Sequence, residues 1–151
     1  MDHGMKAAEL FLEGYNCAQA VAVAFCDVTG LDPKLTAKMA SPFGGGFGRQ
    51  REVCGAVSGM CFVYGTLYGY EPPHSDNQME VYSDVQALCA QFKESAGSII
   101  CREILNNPPS DPAPTPRTAE YYAQRPCARL VLLACDILDQ YIGSHPIAEN
   151  E

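Results

Sequence analysis

The sequence predicts an all-α protein, a compact single-domain bundle of about five helices. Apolar residues recur at helical spacing through most of the chain, and residues 52–68 lack strand-like alternation. The predicted helices are separated by segments that contain glycine or proline, which end helices. A chain of 151 residues suits one domain and can bury a core without disulfide staples. We therefore expect residues 1–151 to form one helical domain.

In the first half of the chain, three helices are expected. The first spans residues 5–26, which are rich in Ala, Leu and Glu, although Gly14 is a weak point inside it. A short helix follows over residues 33–40 and begins with an Asp-Pro pair. Residues 52–68 are apolar on nearly every side, which is typical of a central helix.

The second half of the chain continues the helical pattern, with one interruption. A helix is predicted to end near residue 95, and residues 98–105 fit a short helix or a strand. Five prolines make residues 106–116 an extended connector on the surface. Residues 118–122 then begin the last helical region, and its main part covers 127–142.

Charge and composition exclude several classes of function. The formal net charge is −8 and there is no basic run, which argues against binding nucleic acid or an anionic membrane. No stretch approaches the ~18 uncharged apolar residues of a membrane span, and acidic residues stand where a signal peptide would be apolar. We therefore expect a cytoplasmic protein. Its three histidines have no partner at ligand spacing and are expected in solvent.

A glycine cluster and two arginines precede the most conspicuous cysteine. Glycines can leave backbone amides open, and arginine adds fixed positive charge. Cys54 follows in the first turn of the predicted central helix, where free N–H groups and the nearby arginines should lower its pKa. The candidate binding residues of this loop are Gly44, Gly45, Gly46, Arg49 and Arg51.

Eight cysteines in a reducing compartment are expected to be core residues, metal ligands or redox thiols. Cys17, Cys101 and Cys127 stand at or near predicted helix starts, beside a polar or helix-breaking residue. Cys61 lies about 10 Å along the helix from Cys54, too far for a disulfide between them. Apolar stripes contain the other three, which are expected in the core: Cys26, Cys89 and Cys135.

Four of these cysteines form a pattern that resembles the C_GCAxxG_C_C family of putative redox-active proteins. The matching residues are Cys17, Cys54 in the segment Cys54-Gly55-Ala56-Val57-Ser58-Gly59, Cys101 and Cys127. The resemblance extends from about residue 14 to residue 138. It implies a redox function that depends on these four sulfurs, and it implies no particular substrate.

The leading hypothesis is thiol–disulfide chemistry in one pocket where the four cysteines converge. Cys54 would attack a disulfide or an oxidised sulfur, and Cys17, Cys101 or Cys127 would resolve the mixed disulfide. Arg49 or Arg51 would stabilise the thiolate or hold an anionic substrate. The redox partner or small-molecule substrate is left open, and so is a homodimer.

Two alternatives use the same residues differently. Cys17, Cys54, Cys101 and Cys127 would also suffice as ligands for zinc or an iron–sulfur cluster, although the sequence has no CxxC pair. In the other alternative, the glycine and arginine loop is a binding module for a small anion, and the cysteines only pack.

Overall fold

The protein is all-α in a computed structural model that describes residues 2–73 and 76–147. Within these ranges the only extended pairing is one antiparallel bridge between Val53 and Ile100. Over the same residues, no helix is both long and apolar enough to cross a membrane. The described chain forms nine α-helices: α1 His3–Leu12, α2 Cys17–Ala24, α3 Cys26–Thr29, α4 Pro33–Ala40, α5 Gly55–Tyr68, α6 Gln78–Ala96, α7 Cys101–Ile104, α8 Ala119–Gln124 and α9 Cys127–Ser144.

The expectation of about five helices was wrong, in part because the helix predicted over residues 5–26 is divided into α1 and α2 and ends where α3 begins. Gly14 has φ +111°, a left-handed conformation that ends α1. Asn16 then caps α2: its side chain accepts from the Gln19 N–H at 2.9 Å, and the Gln19 side chain accepts from the Asn16 N–H at 3.0 Å. This break makes Cys17 the first residue of a helix.

Between α4 and α5 the chain forms an irregular loop that contains the glycine cluster. A single 3-10 turn at Ser41–Phe43 leads into Gly44–Phe47, where Gly45 and Gly46 have φ values of +68° and +72°. We treat Gly44–Phe47 as part of the loop because these left-handed residues interrupt helical geometry. The non-glycine residues Phe47, Arg49 and Arg51 also have positive φ values.

Helix α5 is the central element, as the sequence predicts. It packs against the helices that carry Cys17 and Cys127, and also against α6. A Cβ atom at Gly59 would lie 2.8 Å from the Ala18 carbonyl oxygen, so only glycine permits this approach of α2. The helix begins at Gly55, so Cys54 is the residue that precedes the helix. The expectation that Cys54 lies in its first turn was wrong by one residue. The largest fully buried side chains around it are Tyr64, Phe25, Phe92, Met60, Leu88 and Leu138.

One histidine is less solvated than expected. His3 exposes 20% of its side chain, with Nδ1 2.7 Å from Asp139 and Nε2 3.0 Å from the Asp27 carboxylate. It therefore joins α1, α3 and α9, and the expectation of a free terminal histidine was wrong. His145 is exposed at the end of α9 and stacks on a tyrosine ring. His74 lies outside the described residues.

Candidate functional site

All four cysteines of the predicted site line one cavity. Cys17, Cys101 and Cys127 are the first residues of α2, α7 and α9, and Cys54 immediately precedes α5. The empty space of this cavity is about 490 Å³, part of which opens to solvent. Its other walls combine apolar and polar residues, and the apolar part includes Phe11, Ile104, Leu105 and Leu130.

The Val53–Ile100 bridge brings two of these cysteines together. The Cys54 N–H donates to the Ile99 carbonyl at 2.7 Å, and the Cys101 N–H donates to the Glu52 carbonyl at 2.6 Å. Side chains alternate between the two faces of such a pair. Cys54 and Cys101 are therefore diagonal neighbours on one face of the bridge.

Glycines form the junction between the cysteine-bearing segments. A Cβ atom at Gly55 would overlap the Cys17 sulfur, and one at Gly44 would overlap the Asn16 side chain that caps α2. A Cβ at Gly46 would lie 2.7 Å from the Cys101 Cβ. Only Gly45 of the predicted glycine site lines the cavity itself. The glycines therefore act mainly as contact points that let α2, α5 and α7 meet.

Arg51 is the one arginine of the predicted loop that reaches the cavity. It is 5% exposed, and its Nη1 donates to the Cys101 sulfur at 3.6 Å. Its Nε donates to the Pro109 carbonyl at 3.0 Å. Arg49 points elsewhere and donates to Asp111 O at 2.7 Å and Thr115 Oγ1 at 3.0 Å. The two arginines thus fix the proline-rich connector, which is non-helical as predicted but packed onto the loop.

Two further arginines that the sequence analysis missed also line the cavity. Arg117 donates to the carbonyls of Phe11 and Tyr15 at 2.9 and 3.2 Å, and its guanidinium lies 4.4 Å from the Phe11 ring centroid. Arg125 stacks over Tyr121 at 5.1 Å. The position of Arg125 two residues before Cys127 was a usable signal. Nothing local marks Arg117, which reaches the site only through the fold.

Burial opposes ionisation of three of the cavity thiols. The pKa of Cys54 is raised well above 9.0, mainly by burial and then by the neighbouring Cys17; the N–H groups of Ala56 and Val57 act in the opposite direction but more weakly. This corrects the expectation of a lowered pKa at Cys54. Burial also raises the pKa of Cys127 to about 12 and that of Cys17, although a hydrogen bond from the Gly45 backbone lowers the latter.

The cavity is not arranged as a metal site. Across residues 2–73 and 76–147, no three His, Cys, Asp or Glu side chains are close enough together to hold a metal ion. The four thiols therefore share one cavity without forming a ready set of zinc or cluster ligands.

A second pair of thiols lies outside this cavity. Cys61 on α5 and Cys89 on α6 are both partly buried, and the Cys61 thiol is close enough to form a hydrogen bond to the sulfur of an ionised Cys89. This bond lowers the pKa of Cys89 to about 7 and, together with burial, raises that of Cys61. Both were expected in the core, because a contact between two helices leaves no local signal in the sequence. Cys135 is fully buried, as expected.

Four thiols and three guanidinium groups around one small cavity define the class: a helical protein with a cysteine pocket. Comparison with family models identifies it further. The C_GCAxxG_C_C family, described as a putative redox-active protein, matches residues 15–141, and the chain belongs to this family. The match contains all four cavity cysteines. Comparisons with curated proteins and with solved structures gave no match.

Proposed function

We propose that this protein carries out thiol–disulfide exchange in the four-cysteine cavity, as a single-domain cytoplasmic protein. The observation that carries the proposal is the contact between a buried guanidinium and a cavity sulfur, Arg51 Nη1 to Cys101 Sγ. A charged donor binds a thiolate more strongly than a thiol. Cys101 is therefore the nucleophile, in place of Cys54, whose burial keeps it protonated.

Cys17 is the proposed resolving thiol. A negative charge on Cys101 contributes to the raised pKa of Cys17. A negative charge on Cys17 likewise contributes to the raised pKa values of Cys54 and Cys127. These interactions support a position of Cys17 among the other three sulfurs. Its sulfur packs directly against Gly55, the residue after Cys54. The Gly45 backbone hydrogen bond supports the Cys17 thiolate.

The reaction proceeds in two displacements. The Cys101 thiolate attacks one sulfur of a disulfide, forms a protein–substrate disulfide and releases the other substrate sulfur as a thiolate, which takes a proton from water. Cys17 then loses its proton to solvent and attacks Cys101 Sγ, which releases the second substrate thiol. Two protein thiols are oxidised, one substrate disulfide is reduced, and a dithiol partner would reverse the change in the protein.

Trapping of the mixed disulfide tests this order. Reduced Cys17→Ser protein is treated with bis(2-hydroxyethyl) disulfide and analysed by intact-mass and peptide mass spectrometry. Among the cavity thiols we expect one adduct, on Cys101, which persists because the resolving thiol is missing; the peptide analysis separates it from adducts on Cys89, which lies outside the cavity. In the Cys17→Ser background, Cys101→Ser should slow adduct formation on the peptides that line the cavity at least about tenfold, while Cys26→Ser, which changes a thiol outside the cavity, should leave it unchanged. An unchanged rate in Cys101→Ser would contradict the assignment.

A further inference from the structure

The guanidinium of Arg51 has a donor that no described residue uses. Arg51 is 5% exposed, and Nη2 is buried without a hydrogen-bond partner among the described residues. Nε and Nη1 of the same group are both engaged, by Pro109 and Cys101. Buried polar groups in native proteins are nearly always satisfied, and a buried charged donor is the most expensive to leave alone. The free Nη2 therefore indicates a missing acceptor.

This acceptor would lie beside the proposed nucleophile. Nη1 and Nη2 are bonded to the same carbon of Arg51, and Nη1 already contacts Cys101 Sγ. A group held by Nη2 is therefore a close neighbour of that sulfur. Gly45 lines the cavity next to this guanidinium, since a Cβ added to it would lie 3.8 Å from Nη1.

The charge of the cavity indicates the sign of its ligand. Arg51, Arg117 and Arg125 contribute three positive groups, and no Asp or Glu is among the described residues that line the cavity. The whole chain carries a formal net charge of −8. A positive cavity in a negative protein selects anions locally, while the molecule as a whole repels them.

We infer that the substrate of this cavity is a small disulfide that carries an oxyanion, such as a carboxylate or sulfonate, bound by Arg51 Nη2. This inference rests on the proposed function and specifies its substrate class. The oxyanion accepts from Nη2, and the adjoining substrate sulfur then lies against Cys101 Sγ. The covalent steps are those of the exchange already described, and the products are two anionic thiols and the oxidised protein.

Three small disulfides of similar size and different charge test the inference: 3,3′-dithiodipropionate, bis(2-hydroxyethyl) disulfide and cystamine. The rate of mixed-disulfide formation on Cys101 is measured for each in the Cys17→Ser protein, where the adduct persists, by quenching the reaction and mass spectrometry. Each rate is divided by that of the same disulfide with the urea-unfolded protein, which removes differences in intrinsic reactivity. We expect the dianion to exceed the neutral disulfide by about tenfold or more, and cystamine to be slowest.

Variants of Arg51 separate its second donor from its charge. Arg51→Lys keeps the charge but replaces the planar guanidinium and its two Nη donors with a single ammonium group. It should lower the preference for the dianion by about tenfold. Arg51→Gln should lower it at least as much. Arg129→Lys changes an exposed arginine two residues after Cys127, outside this cavity, and should leave the preference unchanged.

Two outcomes would overturn the inference, and they are distinguishable. If all three normalised rates are equal, or Arg51→Lys retains the full preference, anion recognition by Arg51 is wrong while the exchange reaction stands. If none of the three disulfides forms an adduct on Cys101, the proposed function fails as well.

Discussion

The cysteine residues of the cavity differ chiefly in which neighbouring groups can stabilise a negative charge on the sulfur. Cys54 lies 5% exposed and Cys101 6% exposed, so burial alone does not distinguish them. The difference is the donor: Arg51 contacts Cys101, whereas Cys54 has only backbone N–H groups and a neighbouring thiol. A helix start was expected to activate Cys54, but loss of water outweighs that effect when the sulfur is enclosed.

Titration of Cys127 should make stability depend on pH. Its pKa rises from 9.0 to about 12 on folding, mainly through burial, so the folded state favours the thiol. The stabilisation is complete below about pH 9 and is lost as the pH rises through about 12, by at most ~1.4 kcal/mol per pH unit. Urea unfolding between about pH 8 and 11 measures this slope.

The Cys127→Ser variant provides the comparison for that slope. Serine does not titrate in this range, so the free energy of unfolding should fall less steeply with pH. The difference in slope should be at most ~1.4 kcal/mol per pH unit, the contribution of one proton. Other groups whose pKa is raised by folding, such as Tyr141 with a pKa of about 12, are present in both proteins. Their contributions cancel in the difference between the two slopes. Equal slopes in the two proteins would refute the buried-thiol assignment.

Cys89 should be the fastest of the cysteines to alkylate near neutral pH. Its hydrogen bond with Cys61 lowers its pKa to about 7, so roughly half is thiolate at pH 7, against a few per cent for an ordinary thiol. Cys61→Ala removes the donor and should slow alkylation of Cys89 by iodoacetamide about tenfold. Peptide mass spectrometry gives the rate. Cys26→Ala is the control and should have no effect; an unchanged rate in Cys61→Ala would show that the contact is unimportant.

Elements meet at the site because glycines remove the atoms that would separate them. Gly59 and Gly55 allow α2 to pack closely against α5, and Gly46 allows the loop to pack closely against Cys101. The sequence indicated that small residues in residues 52–68 permit close approach, and this was confirmed. The break at Gly14 could also have been predicted more strongly, since Asn16 and Gln19 form a recognisable capping box.

Two alanine substitutions in α5 should have opposite effects. A Cβ at Gly55 overlaps Cys17 and lies 3.1 Å from the Phe43 carbonyl oxygen, so Gly55→Ala should lower the free energy of unfolding by about 1–3 kcal/mol. Gly65 has open space around its Cβ position in the same helix, so Gly65→Ala should raise it by up to ~1 kcal/mol. Urea unfolding at pH 7 measures both. The close packing would be disproved if Gly55→Ala proved neutral.

The whole molecule assembles the site from four segments distant in sequence. Their cysteines could be selected from the sequence because Asn16, Ser98 and Pro126 precede Cys17, Cys101 and Cys127, and because together the four cysteines match a family pattern. The helix that begins at Cys17 was not predicted, since residues 5–26 were expected to form one helix. The all-α class followed from apolar spacing in the same way. These are local signals, which survive in the sequence whatever the tertiary packing.

Other features of the site could not be predicted, since they arise only from folding. Arg117 follows a proline-rich connector and reaches the cavity through contacts with α1. The burial of Cys54 and the contact between Cys61 and Cys89 depend on how helices pack, which apolar spacing does not specify. Arg49 and Arg51 are two residues apart in sequence, yet only Arg51 lines the cavity.

Disulfide mapping tests the central claim, that the converging cysteines are one redox centre, most directly. The folded protein is equilibrated with oxidised dithiothreitol, blocked, digested without reduction and analysed by mass spectrometry. We predict a Cys17–Cys101 disulfide that reduced dithiothreitol reverses, with Cys26 and Cys135 still recovered as thiols. Recovery of Cys17, Cys54, Cys101 and Cys127 all as unlinked thiols would contradict the account.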